Sequence, residues 1–266
     1  MCKKIIVLLT GQLRYFSELN YKNLKNSLKD YDLSFYIVCW ENEKKETKDK
    51  FVKLYNPIKF LEIQDKDFSE EVKKIQIPDT AVKSENIFKM WYSFIKACEL
   101  LSKEKFNEAP TYILRYRSDL LPLENQNIDI KFSNNNDIFV PDLNHWNGIN
   151  DQFFIFHYSK LNKMIEFLEF IYKYLNKKLL FSSELIFQRF LREKNLKVKY
   201  INFNYKIMKK KVNIQSNTDF ENKSIQIPFK EKIFISINKL KFKFRNFKEF
   251  YITKNKRNKF QDTLID

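Results

Sequence analysis

Along the chain, short unbroken apolar runs alternate with stretches in which apolar residues recur every three or four positions. Residues 5–10 form a compact β-branched and leucine run closed by Gly11, and residues 33–40 (LSFYIVCW) form a second. Runs of this length without polar alternation predict strands buried on both faces, as in a parallel sheet. Between them, residues 18–31 carry Leu19, Leu24 and Leu28 among Lys and Asn, a weak helical spacing. Residues 51–55 read as the end of a further helix, and a short strand at 59–63 follows Pro57. Strand, helix, strand, helix, strand predicts βαβ units, hence an α/β fold with a mostly parallel, Rossmann-like sheet flanked by helices.

The strongest helical signal is residues 84–102, SENIFKMWYSFIKACELLS. Ser84 offers a cap, Glu85 sits in the first turn, and Ile87, Met90, Trp91, Phe94, Ile95, Cys98 and Leu101 repeat at helical spacing. Its aromatic stripe, Phe88, Trp91 and Phe94, reads as core. Further strands are expected at 111–115, 137–140, 153–157 and 196–203, with helices at 160–174 and 183–194. A folded domain is therefore expected over 1–208.

From residue 209 the character changes, and 209–266 reads as a basic, aromatic-rich C-terminal extension in which Lys and Arg interleave with Phe and Ile. Within it Phe234, Ile237, Leu240, Phe244 and Phe247 recur at spacings of three or four. On a helix these make one apolar stripe flanked by cations, suited to an anionic membrane surface. Residues 239–245, KLKFKFR, also alternate as a strand would.

Composition narrows the classes. With 44% hydrophobic residues, including 27 Phe and 14 Tyr, the chain has the apolar area that a disordered sequence lacks. Only 2 Gly occur, so neither a GxGxxG nor a Walker A loop is present. Cys2, Cys39 and Cys98 have no CxxC spacing, and His145 and His157 no metal-ligand spacing, which argues against a disulfide framework and a zinc site. No apolar run approaches the roughly 20 residues that span a bilayer, and the opening run is too short for a secretory signal. A cytoplasmic protein is expected, able to lie peripherally at the inner face of the cytoplasmic membrane. The net charge of +16 favours anionic partners.

Candidate chemistry centres on residues 112–122, YILRYRSDLLP, where a strand runs into charge. Ligands of open α/β sheets bind beyond the carboxyl ends of the strands. The period of two places Arg115, Arg117 and Asp119 on one face. Such a face could hold a diphosphate through bidentate guanidinium contacts, or through a divalent cation ligated by Asp119. A surface salt-bridge cluster would use the same residues. A second polar segment, residues 144–151 (NHWNGIND), precedes the strand at 153–157, and Asn147-Gly148 supplies turn chemistry there. Trp146 could stack on a sugar, and Asp151 is the first candidate for a general base, with Glu184 its rival. For Glu184 the alternative is a first-turn carboxylate matched to its helix dipole.

Taken in order, the opening IIVLLTGQLR, SFYIVCWE, ENIFKMWYSFIKACELL, ILRYRSDLLP, INDQFFIFHYSKLNKM and SSELIFQRFL cover residues 4–205. This succession resembles the bacterial GT-A-like glycosyltransferases of capsule and lipopolysaccharide synthesis, including the WavE-like group. The resemblance implies a GT-A-like domain that moves a sugar from a nucleotide-sugar donor to a glycan or lipid-linked glycan acceptor. It implies that Thr10, Gly11, Gln12 and Arg14 form the first nucleotide-contacting loop, and that residues 117–119 replace the usual DxD. It also implies that Asn150 and Asp151 face the acceptor. Only the final acid of DxD is retained, so either Asp119 holds Mn2+ or Mg2+, or Arg117 supplies the positive charge instead.

The rival class is a non-catalytic protein that binds nucleic acid or anionic lipid through the basic tail. Nucleic acid is the disfavoured partner, because the charge gathers toward the C-terminus and no recognition motif accompanies it.

Overall fold

The computed structural model describes residues 3–15, 17–79, 82–106, 111–130, 134–143, 148–175 and 179–208; Trp146 and the whole basic extension lie outside them. Both N-terminal apolar runs become neighbouring buried strands. β1 (Lys3–Thr10) and β2 (Tyr31–Trp40) pair in parallel, from Lys3 opposite Tyr31 to Thr10 opposite Val38. Helix α1 (Glu18–Ser27) connects them, and its first turn is capped by Ser17, whose side chain accepts from the Asn20 N–H. Helix α2 (Lys45–Tyr55) leads to β3 (Lys59–Ile63); its chain reversal uses Asn56 in the left-handed conformation, which Asn tolerates better than most residues.

Two short elements, α3 (Ser69–Lys73) and β4 (Ile77–Pro78), precede the long helix α4 (Ser84–Ser102). Then come β5 (Tyr112–Tyr116), β6 (Leu120–Pro122), β7 (Asp137–Pro141) and β8 (Phe153–His157). The expected helix at 160–174 is broken at Glu166 into α5 (Leu161–Ile165) and α6 (Phe167–Leu175). Beyond the break Phe167 meets Trp91 edge-on, with ring centroids 4.3 Å apart. β9 (Leu180–Phe181), α7 (Ser183–Glu193), β10 (Lys197–Ile201) and β11 (Tyr205–Ile207) complete the domain.

The main sheet has seven strands in the order β10-β7-β8-β5-β1-β2-β3. β8 runs antiparallel to both its neighbours, and every other pair is parallel. The expected mostly parallel sheet flanked by helices is thus present, with one reversed strand near its centre.

Both faces of the sheet are covered, which is why its strands carry unbroken apolar runs. Ile6 and Leu8 of β1 point toward α4, among Trp91, Phe94 and Phe154. Ile5, Val7 and Leu9 point to the opposite layer, with Leu24 of α1 and Phe51 of α2. No helix among the described residues is long and apolar enough to cross a membrane.

Candidate functional site

The parallel strands deliver their carboxyl ends to one edge of the sheet. Because β8 is reversed, its beginning lies at that same edge, where Tyr116 at the end of β5 stands opposite Phe153. The residues just before β8 are thereby carried to the loop that follows β5, and Arg117 N–H donates to the Gln152 carbonyl at 3.3 Å. A cleft of about 810 Å³ opens here. Thr10, Gly11, Gln12, Arg14, Arg117 and Asp119 line one side. Asp151, Ser183 and Glu184 line the other.

On the first side, β1 ends at Gly11, whose φ of +88° is a conformation that L side chains rarely adopt. A Cβ there would also stand 3.1 Å from Ser93 Oγ. The next loop is tied to the 117–119 turn through Ser118. Its hydroxyl accepts from Arg14 N–H at 3.2 Å and donates to the Gln12 carbonyl at 3.3 Å.

Asp119 is buried and accepts a bidentate pair from Arg117: Nε to Oδ1 at 3.0 Å and Nη2 to Oδ2 at 2.6 Å. Arg14 Nη1 lies 3.9 Å from Asp119 Oδ2, with half of its side chain exposed. Burial acts against the Arg117 charge, but Asp119 above all, together with Asp151 and Tyr205, offsets it and the guanidinium pKa lies above its ordinary value.

This geometry bears on the divalent cation expected at Asp119. A hard cation needs several oxygen ligands with available lone pairs. Both Asp119 oxygens instead face a guanidinium, so an ion there would meet a fixed positive charge. No three His, Cys, Asp or Glu side chains gather into a metal-holding group among the described residues. The donor set does not fit a metal ion.

On the second side, Asp151 is buried and accepts a hydrogen bond from Ser183 Oγ, which in turn accepts from the Trp91 indole N–H at 2.9 Å. Half-buried Glu184, in the first turn of α7, accepts weakly from Ser182 Oγ at 3.4 Å. Burial first, and then the neighbouring Asp151, pushes the Glu184 carboxyl up to about 7. These two effects outweigh the hydrogen bonds from the Glu184 backbone N–H and the Ser182 hydroxyl, which favour the anion.

Gly148 holds the two segments together. A Cβ there would lie 2.2 Å from backbone atoms of Glu184, and Ile149 N–H donates to the Glu184 carbonyl at 3.1 Å. The sequence reading gave Gly148 a turn role; close backbone approach is what the structure requires of it. Both glycines of the chain therefore border the site, one on each side.

Two expected site residues are placed elsewhere. Arg115 does not share a face of the cleft with Arg117 and Asp119. It is 1% exposed beneath α4, its guanidinium 4.8 Å from the Trp91 ring centroid and 5.7 Å from those of Phe94 and Phe154. None of its nitrogens has a hydrogen-bond partner among the described residues, and burial lowers its pKa to about 10 despite the attraction of Asp151. Strand alternation holds only to Tyr116, after which a turn closed by Leu120 N–H to the Arg117 carbonyl re-aims the chain.

Asn150 is fully buried and structural. Its amide donates to the Leu143 carbonyl and the Tyr205 hydroxyl, and its oxygen accepts from the Gln152 and Phe153 N–H groups. Trp146 lies outside the described residues.

The sequence reading missed the far end of the cleft, beyond β2 and β3. There Trp40 stacks on Tyr92 at 6.1 Å, and Lys89 bridges to Asp65 at 2.7 Å. For Trp40 and Asp65, positions at or just past the ends of β2 and β3 were the available signal. Ser183 was also missed, since a serine at a helix start reads as a cap.

No family model matches this chain, and no curated protein matches it. Solved structures similar to it include mouse xyloside xylosyltransferase 1 in its apo form, at 9% identity over 75% of this chain and 85% of that one, TM-score 0.40. Another is the galactosyltransferase LgtC in complex with donor and acceptor sugar analogues, at 11% identity over 74% and 73%, TM-score 0.42. A third is the apo form of glycosyltransferase GlyE from Streptococcus pneumoniae, at 10% identity over 74% of this chain and 45% of that one, TM-score 0.44. Likeness at this level says nothing of the activity or ligand of this chain.

Proposed function

We propose that the protein transfers a glycosyl group from a nucleotide-sugar donor to a hydroxyl of a glycan or lipid-linked glycan acceptor, in the assembly of a bacterial surface polysaccharide. The observation that carries this reading is the pairing, across one cleft at the carboxyl edge of the sheet, of a locked guanidinium with a carboxyl group whose pKa is about 7. The succession of sequence motifs read above supports the same class and is the sole support for the polysaccharide acceptor.

Transfer forms a bond from the acceptor oxygen to the anomeric carbon and breaks the bond from that carbon to the diphosphate. The electron pair leaves with the diphosphate. Cations placed at the departing group therefore stabilise the transition state more than the bound donor. Arg117 and Arg14 occupy that role. The acceptor hydroxyl loses its proton, and Glu184 takes it: its pKa is matched to a neutral base, and it is less enclosed than Asp151. Asp151, held by Ser183, stands beside Glu184 and helps to raise its pKa. The basic extension, by its pattern of cations and aromatics, would hold the enzyme beside a lipid-linked acceptor at an anionic membrane surface.

A screen of UDP-, GDP-, CDP- and dTDP-sugars for donor hydrolysis and transfer tests the reading. One donor class should be turned over, and Glu184→Gln should lose that turnover. Absence of turnover together with tight oligonucleotide binding would replace it with the nucleic-acid reading.

A further inference from the structure

We propose that the donor diphosphate is bound and its charge neutralised by Arg117 in place of a divalent cation, so that the site works without a metal. The inference rests on the nucleotide-sugar reading and concerns the same side of the cleft. Its basis is how the Arg117 fork is divided. Of the five guanidinium donors, Nε–H and one hydrogen of Nη2 are spent on Asp119, at 3.0 and 2.6 Å. That leaves Nη1 and the outer hydrogen of Nη2 for an anion, on a side chain that keeps 22% exposure while its partner Asp119 keeps 5%.

Asp119 thus acts as a buried brace that sets the orientation of Arg117 rather than as a ligand to an ion. Arg14, at 3.9 Å from the same carboxylate and tied to Gln12 at 3.1 Å, places a second cation at the mouth of the same loop. One carboxylate between two guanidinium groups leaves a net positive charge of one unit where a diphosphate would arrive. Ser118 fixes the spacing of the two arginine-bearing loops through both of its hydrogen bonds. A guanidinium held in plane can present two parallel N–H groups to phosphate oxygens, which an ammonium cannot do.

Two measurements on the full-length protein test the proposal. In the first, Mn2+ alone is titrated in and the free-ion electron paramagnetic resonance signal is followed. It should fall no faster than with a buffer blank; stoichiometric loss that Asp119→Ala abolishes would overturn the proposal.

In the second, binding of UDP, GDP, CDP and dTDP is measured by calorimetry with EDTA and then with excess Mn2+. The diphosphate that binds should do so with the same affinity, within about two-fold, in both. Arg117→Ala should weaken it about 100-fold, the equivalent of two charge-assisted hydrogen bonds, and Arg117→Lys should restore only part of that loss. Arg117→Asp, which sets two carboxylates two positions apart, should bind only when Mn2+ is present. Binding by the unmodified protein that EDTA abolishes overturns the metal-free assignment and leaves the donor reading standing. Failure of every diphosphate to bind in both conditions overturns the donor reading and this inference together.

Discussion

The two sides of the cleft are built from similar residue types and treat charge in opposite ways. Where β1 and β5 end, the carboxylate of Asp119 is saturated by Arg117, and the guanidinium pKa rises as a result. Across the cleft, Asp151 is given hydroxyl and indole donors in series and Glu184 stands beside it, so one carboxyl raises the pKa of the other. A matched ion pair has fixed protonation and suits the holding of an anion. Two like charges in a partly buried setting have labile protonation and suit the movement of a proton. The difference arises from which elements meet: two strand ends and their loops on one side, a helix start against a reversed strand on the other.

The largest effect should come from the labile side. Glu184→Gln keeps the shape and removes the base, and turnover should fall by about 10² to 10⁴, the usual range for losing a general base. In the unmodified enzyme the base is protonated below its pKa, so turnover should rise as pH passes about 7 and then level. Stability should move the other way. Between the ordinary 4.5 and about 7 the native state holds more protons than the unfolded chain, so folding weakens as pH rises through that window. Glu184→Gln should abolish that dependence, which thermal melts at several pH values would show. A variant with unchanged turnover would move the proton-accepting role elsewhere.

A pair of substitutions sharpens the contrast between the sides at a smaller cost in rate. Asp119→Ala frees Arg117 to leave its plane, and donor affinity should fall about ten-fold, consistent with losing one charged brace, while the pH profile keeps its midpoint. Asp151→Asn removes the charge that helps raise the Glu184 pKa, and the midpoint should move to lower pH while donor affinity stays within about two-fold. Affinity and pH profiles on the two variants check both at once. A shifted midpoint in Asp119→Ala would mean that the two sides are one electrostatic unit.

How much of this was legible follows from the kind of signal each residue gives. Residues 5–10, 33–40 and 84–102 declare themselves because burial on both faces, or one helical stripe, leaves a long periodic trace. β4, β6, β9 and β11 are two or three residues each, below the length at which any period shows. The turn at 117–119 was found because a parallel sheet sends its strand ends to one edge, and the loop after β1 was named through the family resemblance. The reversal of β8 left no trace, since a buried antiparallel strand such as FFIFH has the same apolar run as a parallel one. For that reason the sequence could nominate Asp151 and Glu184 without showing that they meet. Arg115 misled because alternation was extended past the end of its strand, and Gly148 because a glycine demanded by close approach looks like one demanded by a turn.

Arg115 gives the smallest expected effect and isolates what lies between the two sides. Its charge sits among Trp91, Phe94 and Phe154, and its nitrogens have no hydrogen-bond partners among the described residues, so desolvation opposes it and ring faces only partly compensate. Replacing a buried charge that has no hydrogen-bond partner by an apolar chain of similar length removes its desolvation cost while keeping the packing. Arg115→Met should therefore melt at or somewhat above the unmodified temperature. The guanidinium also lies on the ring of Trp91, whose indole N–H holds Ser183 and through it Asp151. Loosening that ring should lower turnover only a few-fold, with donor affinity unchanged, because Arg117 and Asp119 do not touch it. Calorimetric melting and the separation of kcat from KM decide the matter. A loss of several kcal/mol would show that the guanidinium is satisfied in solution, and a loss of donor affinity would place Arg115 with the phosphate-binding side after all.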